Sequence, residues 1–257
     1  MLFDTHSHIT DNRFNEDREE VIKKIKESGV ELLVNPGADI PSSLKAVELS
    51  KKYDFIYASV GVHPHDVEDM DEGSITVLRE LAKNEKVVAI GEIGLDYYYD
   101  NSPRDLQKKW FEEQIKLANE LKLPIIIHDR DAHQDTLDII KNTKSEEIGC
   151  VLHCYSGNVE LAKEYIKMGC MISIAGPATF KNNKKTKDVI KEIPLEHMLI
   201  ETDSPYLTPH PHRGKRNDSS YVRYIAETIA IEKEISYEKV CEVTKENGKR
   251  FFNIKWK

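Results

Sequence analysis

Apolar residues along this chain follow two alternating patterns, one typical of buried strands and the other of amphipathic helices. Short, nearly continuous apolar runs predict strands that are covered on both faces. Eight such runs begin at Leu2, Val30, Phe55, Val87, Leu123, Cys150, Met171 and His197. Apolar residues spaced three and four apart predict the helices between them. These helices cover 16–28, 41–53, 71–83, 102–121, 132–142, 159–168 and 184–192, and two more follow at 219–232 and 236–253.

Eight strands alternating with helices indicate a parallel α/β fold, for which two layouts compete. One is the (β/α)8 TIM barrel, and the other is a doubly wound open sheet. The strand count and the two helices after the last strand favour the barrel. No break in composition divides the 257 residues, so we expect a single domain over 1–257.

Composition places the chain among globular proteins, with 39% hydrophobic and 32% charged residues. No apolar run approaches the ~18 residues that a membrane span needs, and no signal-peptide pattern begins the chain. The four cysteines form no C-x-x-C pair, which predicts no disulfide framework and fits a reducing compartment. We therefore expect a cytoplasmic protein without a membrane partner.

The net charge of −8 changes what kind of substrate is expected. A chain this acidic has no overall attraction for nucleic acid. If the substrate carries phosphates, a local basic patch or bound metal ions must provide the attraction.

Candidate chemistry gathers where the predicted strands end, which is where barrel enzymes place their active sites. Side chains two apart on a strand point the same way, so His6 and His8 are expected to face one another. A divalent cation is a partner that both imidazoles could share. Ligand-type residues at the strand ends are His6, His8, Glu92, His128, His153 and Asp203.

Six ligands exceed the roughly three that a single catalytic zinc takes from protein, and they suit two ions about 3.5–4 Å apart. Glu92, flanked by Gly91 and Gly94, is the predicted bridging carboxylate; a salt-bridged acid at a strand end is the alternative. Asp203 is the predicted ligand and general base, because metal binding lowers the pKa of water towards ~7. A helix cap is the alternative role for Asp203.

Four residues are predicted to bind the substrate. They are His65, Arg130, Arg213 and Lys215. His65 could instead support a ligand or lie in an ordinary loop. Arg213 and Lys215 belong to the basic segment HPHRGKRND after the last strand, which could be simply solvated. The position of this segment favours contact with phosphate, which barrels often bind near their last strands. The run YYYD at 97–100 could stack bases or pack within its loop.

Six motifs occur in order along nearly the whole chain: DTHSH, GVHPH, GEIGLDYY, LPIIIHDRDA, HCYSG and ETDSPYL. With them the chain resembles the TatD family of metal-dependent deoxyribonucleases, within the amidohydrolase-like barrels. The resemblance implies two divalent ions, Mg²⁺, Mn²⁺ or Zn²⁺, held by the six ligand-type residues named above. It also implies a 3′-to-5′ exonuclease acting on DNA, single strands or 3′ ends in particular, with a link to DNA repair.

We therefore expect a monomeric metal-dependent hydrolase that cleaves DNA and needs no protein partner. One alternative is a metal-dependent amidase or esterase, or a deacylase of D-aminoacyl-tRNA, on which some related proteins act. A second alternative is a metal-free barrel that only binds a partner.

Overall fold

A computed structural model of the protein describes residues 1–143 and 145–255. Its strands are β1 (Leu2–Asp4), β2 (Val30–Pro36), β3 (Ile56–Val60), β4 (Val87–Asp96), β5 (Ile125–Arg130), β6 (Cys150–Leu152), β7 (Met171–Ile174) and β8 (Met198–Ile200). They form one parallel sheet in the order β1 to β8. A doubly wound sheet reverses its strand order at a switch point, so this sequential order confirms the (β/α)8 barrel class.

Helices follow the strands much as the apolar spacing predicts. They are α1 (Arg18–Glu27), α2 (Ile40–Lys52), α3 (Glu72–Leu81), α4 (Arg104–Leu121), α5 (His133–Thr143), α6 (Val159–Lys167), α7 (Lys184–Glu192), α8 (Val222–Lys233) and α9 (Tyr237–Phe251). Capping boxes begin α2 and α3, where Asp39 accepts from the Ser42 amide and Asp71 from the Ser74 amide. None of the helices in 1–143 and 145–255 is long and apolar enough to cross a bilayer.

The described residues group into two compact units. The first unit comprises Met1–Asn35, Cys154–Lys167 and Met171–Lys257, and the second comprises Pro36–His153 and Met168–Cys170. The first unit therefore carries β1, β7, β8 and nearly all of β2, and the second carries β3 to β6. That the chain is a single domain stays a prediction.

Strand pairing in the first unit brings the ends of β1 and β8 together. A parallel bridge joins Ser7 to Ser204, and the amide of Asp203 donates to the carbonyl of His6 at 2.9 Å. Helix α9 covers β1, and a Cβ on Gly248 would lie 2.6 Å from the ring of Phe3. Only glycine allows α9 to pack this closely on the strand.

Strand β4 organises the second unit, because it is buried along its whole length and pairs with both β3 and β5. Two of its glycines have positive φ angles, 155° at Gly91 and 144° at Gly94. A Cβ on Gly94 would lie 2.0 Å from the carbonyl oxygen of His128, and one on Gly91 would lie 2.7 Å from Ile126. Glycine therefore lets β4 approach β5, which sets Glu92 beside His128.

One feature of the second unit was not expected from the cysteine spacing. Cys150 begins β6 and Cys170 immediately precedes β7, and the two form a disulfide with their Cα atoms 4.8 Å apart. The expectation of no disulfide framework does not anticipate this single pair. Spacing along the chain missed it, because the two positions come close only once their strands are placed.

Candidate metal clusters

The first candidate metal cluster lies in the first unit and consists of His6, His8 and Asp203. The Nε2 atoms of the two imidazoles are 3.1 Å apart. Asp203 Oδ1 lies 3.7 Å from His6 Nε2 and 3.5 Å from His8 Nε2. The two histidines face the same side, as their spacing of two predicts, and Asp203 completes the group.

Backbone contacts hold this first cluster in place. The amide of His8 donates to the carbonyl of Ser204 at 2.8 Å. Behind it, the buried Asp4 carboxylate accepts from the amide and hydroxyl of Thr202, at 2.9 and 2.6 Å, and from the amide of His6 at 3.3 Å. Burial raises the pKa of Asp4 to about 7, although these hydrogen bonds oppose the shift. The chain before His6 is thus tied to the residues after β8.

The second candidate metal cluster lies in the second unit, around one oxygen of Glu92. Its Oε1 atom is 2.9 Å from His128 Nδ1, 3.1 Å from His153 Nε2 and 3.4 Å from His63 Nε2. Three strand ends thus direct imidazole nitrogens at a single carboxylate oxygen. The Glu92 side chain is only 4% exposed.

Asp96, four residues after Glu92 on β4, supports the second cluster from behind. Its Oδ2 lies 3.0 Å from His128 Nε2 and 2.9 Å from His65 Nε2. Its Oδ1 accepts from the amides of Tyr98 at 3.0 Å and Tyr99 at 2.8 Å. Burial alone would raise the pKa of Asp96, but the hydrogen bonds from His128, His65 and the Tyr99 amide hold it well below its ordinary value. A carboxylate behind an imidazole fixes the ring orientation of a metal ligand.

Two of the three imidazoles beside Glu92 differ in their affinity for protons. Burial, together with the charge of His128, lowers the pKa of His63 to about 4. Burial also acts to lower the pKa of His128, but its hydrogen bonds to Asp96 and Glu92 outweigh this and raise the pKa above the ordinary value. His63 is therefore neutral near pH 7, the form in which an imidazole binds a metal ion.

Both donor sets fit a divalent cation. Within the first cluster, and within the set of His63, Glu92 and His128, the ligand atoms lie within 4.8 Å of one another. Imidazole nitrogens combined with a carboxylate are typical ligands of catalytic zinc and related ions. A cation gives three imidazoles a common reason to converge on one buried carboxylate oxygen. The identity and number of the ions stay predictions.

All six predicted ligands therefore lie in one of the two clusters, three in each. His6, His8 and Asp203 form the first, and Glu92, His128 and His153 belong to the second. That Glu92 bridges two ions stays a prediction.

The four residues predicted to bind substrate lie in different surroundings. His65 contacts Asp96, and the guanidinium of Arg130 lies over the rings of Tyr98 and Tyr99 at 4.1 and 4.7 Å. Asp96 links both contacts to the second cluster, because it contacts His128 and also accepts the amides of Tyr98 and Tyr99.

The other two substrate-binding candidates lie on the segment after β8. Arg213 lies 4.2 Å over the ring of Phe180 and lines a cavity of about 580 Å³ together with Lys181 and His210. The side chain of Lys215 is exposed. Their described contacts are with this segment and its neighbours, and none is with the first cluster.

Two residues at the second cluster, one a member and one a support, are not among the predicted ligands. Of the two histidines in GVHPH the prediction favours His65 for a functional contact, yet it is His63 that contacts Glu92. Asp96 is not among the predicted ligands, although it ends the same strand that carries Glu92. Period two along a strand could have found it, because Glu92 and Asp96 are four apart and therefore point to the same side.

A barrel whose strand ends carry buried imidazole–carboxylate clusters is the architecture of a metal-dependent hydrolase. The comparison with solved structures agrees. The fold matches YjjV, a TatD homologue from Escherichia coli K12, with a TM-score of 0.93 and 28% identity over 98% of both chains. A TatD-family hydrolase from Entamoeba histolytica, 24% identical over 98% of both chains, shares the fold with a TM-score of 0.87.

Sequence comparison identifies the family. The family model described as TatD related DNase matches residues 3–253. The uncharacterized metal-dependent hydrolase YabD of Bacillus subtilis strain 168 is 52% identical over 254 residues, which is 99% of this chain and all of that protein. YcfH of Escherichia coli K12, also an uncharacterized metal-dependent hydrolase, is 37% identical over 99% of this chain and 96% of its own length. The chain belongs to the TatD family and is a metal-dependent hydrolase.

Proposed function

We propose that this protein is a deoxyribonuclease that uses two divalent ions to hydrolyse phosphodiester bonds, removing nucleotides from 3′ ends. The observation that carries the proposal is the pair of donor clusters, each combining a carboxylate with imidazoles. Two ions are the arrangement that many nucleases and phosphatases use for in-line displacement at phosphorus. The description of the matching family as DNases supports DNA as the substrate.

The side chains have separate roles in this proposal. Bound divalent ions would polarise the phosphate and lower the pKa of the attacking water. His6, His8 and Asp203 would hold one ion, while Glu92 with its imidazoles would hold the other. Asp203 would also accept the proton of the water and return it to the leaving oxygen. Its side chain is 14% exposed, so it has a route to exchange that proton with solvent.

Local cations offset the acidic surface in this proposal. The net charge of −8 does not attract DNA, but Arg130, Arg213 and Lys215 offer donors for phosphate oxygens. Arg213 shares its cavity with Lys181 and His210, which adds to the positive character of that part of the first unit.

The experiment uses protein dialysed against EDTA and then reconstituted with Mg²⁺, Mn²⁺ or Zn²⁺. Its substrates are end-labelled single- and double-stranded oligonucleotides, a panel of esters and amides, and D-aminoacyl-tRNA. We expect metal-dependent release of mononucleotides from 3′ ends, and a rate lower by roughly 10²–10⁴-fold in Asp203→Asn, because proton transfer is lost. Asp188→Asn, an exposed change on α7, is the matched control.

Two outcomes would contradict the proposal. Turnover of esters, amides or aminoacyl-tRNA with intact DNA would favour the amidase, esterase or deacylase alternative. Unchanged DNA cleavage by Asp203→Asn would remove that residue from the reaction.

A further inference from the structure

We propose that Tyr98, Tyr99 and Arg130 form a stacking platform that binds one nucleotide of the substrate through an unpaired base and its phosphate. This inference rests on the proposed function, because it names a subsite for a nucleic-acid strand. All three residues belong to the second unit, where Tyr98 and Tyr99 follow β4 and Arg130 ends β5.

The platform exposes aromatic surface that the fold does not use. Tyr98 is 58% exposed and Tyr99 is 55% exposed. Their rings meet edge to face, with centroids 4.9 Å apart and planes at 89°. Single exposed aromatics are ordinary, but two adjacent rings presented with a planar cation form a surface for stacking.

Arg130 leaves its donors available to a ligand. Its guanidinium lies 4.1 Å from the ring centroid of Tyr98 and 4.7 Å from that of Tyr99. Within residues 1–143 and 145–255 the guanidinium makes no hydrogen bond or ion pair. The rings thus hold the group in place while its N–H bonds stay available for phosphate oxygens.

Asp96 fixes the platform relative to the second cluster. One carboxylate oxygen accepts the amides of Tyr98 and Tyr99, and the other contacts His128 and His65. The ring of His65 is also 5.4 Å from that of Tyr99. The same buried side chain therefore holds a candidate metal ligand and the backbone that presents the tyrosines.

An unpaired base is the ligand that matches this surface. Bases stack on aromatic rings and on arginine planes without requiring a particular sequence. In a duplex the faces of each base are covered by its neighbours, so a base must leave the stack before it can reach the platform. A nucleotide placed here would stack its base on one of the two tyrosine rings, with its phosphate at Arg130, which favours single-stranded ends.

The test compares two double variants, Tyr98→Ala/Tyr99→Ala and Tyr98→Phe/Tyr99→Phe, as metal-loaded enzymes. The substrates are a single-stranded oligonucleotide and the same strand with abasic residues near its 3′ end. We expect the alanine variant to raise KM for the intact strand by about tenfold or more, with kcat little changed, because stacking is lost. On the abasic strand, wild type and alanine variant should have similar KM values. The phenylalanine variant should behave like wild type.

A binding measurement separates failure of the platform from failure of the proposed function. Oligonucleotides with 2-aminopurine near the 3′ end are mixed with metal-loaded Asp203→Asn protein, which should cleave slowly. Stacking should quench the fluorescence, and adding the alanine changes should remove the quenching. Quenching by a protein that cleaves no DNA would support the platform while contradicting the nuclease activity.

Tyr57→Ala is the matched control, because Lys86 Nζ lies 4.1 Å over that ring in another aromatic–cation pair of the same unit. It should leave KM and quenching unchanged. Three results would overturn the platform: an unchanged KM in the alanine variant, an equal loss on the abasic strand, or an equal loss in the phenylalanine variant. The last would assign the effect to the phenol hydroxyls and not to stacking.

Discussion

The two candidate metal clusters are made of the same residue types but differ in how many donors they have and in how enclosed their carboxylates are. The first has two imidazoles and Asp203, whose side chain is 14% exposed. The second has three imidazoles around Glu92, whose side chain is 4% exposed. With more donors and a more buried carboxylate, the second cluster is predicted to hold an ion more tightly than the first.

The clusters also differ in what supports them. In the first, backbone hydrogen bonds between the ends of β1 and β8, together with those that the Asp4 carboxylate accepts, place the histidines and Asp203. In the second, the carboxylate of Asp96 contacts the far nitrogen of His128. Substitution of Asp96, whose carboxylate contacts a ligand ring directly, should therefore weaken metal binding at the second cluster.

The largest effect is expected from Glu92→Gln. An amide cannot replace a buried carboxylate that three imidazoles share, so the second cluster should lose its ion. We expect the hydrolysis rate to fall on the order of a thousandfold or more, and metal content to fall by about one ion per chain. Elemental analysis of the purified protein, together with an activity assay, measures both.

Glu112→Gln on α4 is the control for Glu92→Gln, because it removes an exposed carboxylate from the same unit. It should keep the metal content and rate of the wild type. Full metal content in Glu92→Gln would mean that the second cluster does not depend on its carboxylate, and the comparison of the clusters would fail.

Stepwise removal of metal comes next in size. If the first cluster is the more open one, increasing chelator should remove its ion first, at a concentration lower by about tenfold or more. Activity should disappear while about one ion per chain remains, as measured by native mass spectrometry. Loss of both ions in a single step would show that the clusters are equivalent in affinity.

Periodicity in the sequence predicted much of this arrangement, because strand and helix periods depend on neighbouring residues alone. His6 and His8 face the same side as their spacing requires, and the predicted start of α3 differs from the observed one by a single residue. The order of the strands followed from their number and from the helices between them.

Contacts set by tertiary placement could not be predicted in the same way. His63 reaches Glu92 because of the path that the chain takes after β3, which no local pattern specifies. Tyr98 is 58% exposed and its amide donates to Asp96, whereas the sequence left stacking and packing as equal options. The disulfide between Cys150 and Cys170 also depends on tertiary placement, because the two cysteines are 20 residues apart in sequence and come close only in the folded chain.

A moderate effect is expected from Asp96→Asn, because an amide no longer holds His128 as a carboxylate does. Loss of such support typically weakens metal binding by about 10–100-fold, and we expect this for the second cluster only. Titration of metal into the apoprotein by calorimetry measures it. The control is Asp100→Asn, which removes the exposed partner of Arg104 from the same loop and should leave both affinities unchanged. Equal weakening of both binding steps would contradict the separate support of the two clusters.

The smallest effect is a proton released when the second cluster binds metal. Hydrogen bonds to Asp96 and Glu92 raise the pKa of His128 above its ordinary value of 6.5, so in the apoprotein this ring holds its proton at higher pH than a free histidine. That proton stabilises the apoprotein fully below the unfolded pKa, and the stabilisation is lost as pH rises through the folded pKa. Metal must displace the proton, so the affinity of the second cluster for metal should increase with pH and level off above the folded pKa of His128.

Calorimetry in buffers of different ionisation enthalpy should record the release of up to about one proton per bound ion at low pH and fewer at high pH. His63, whose pKa is about 4, should release none near neutrality. If proton release does not vary between pH 6 and 9, the bound ion does not displace the proton of His128.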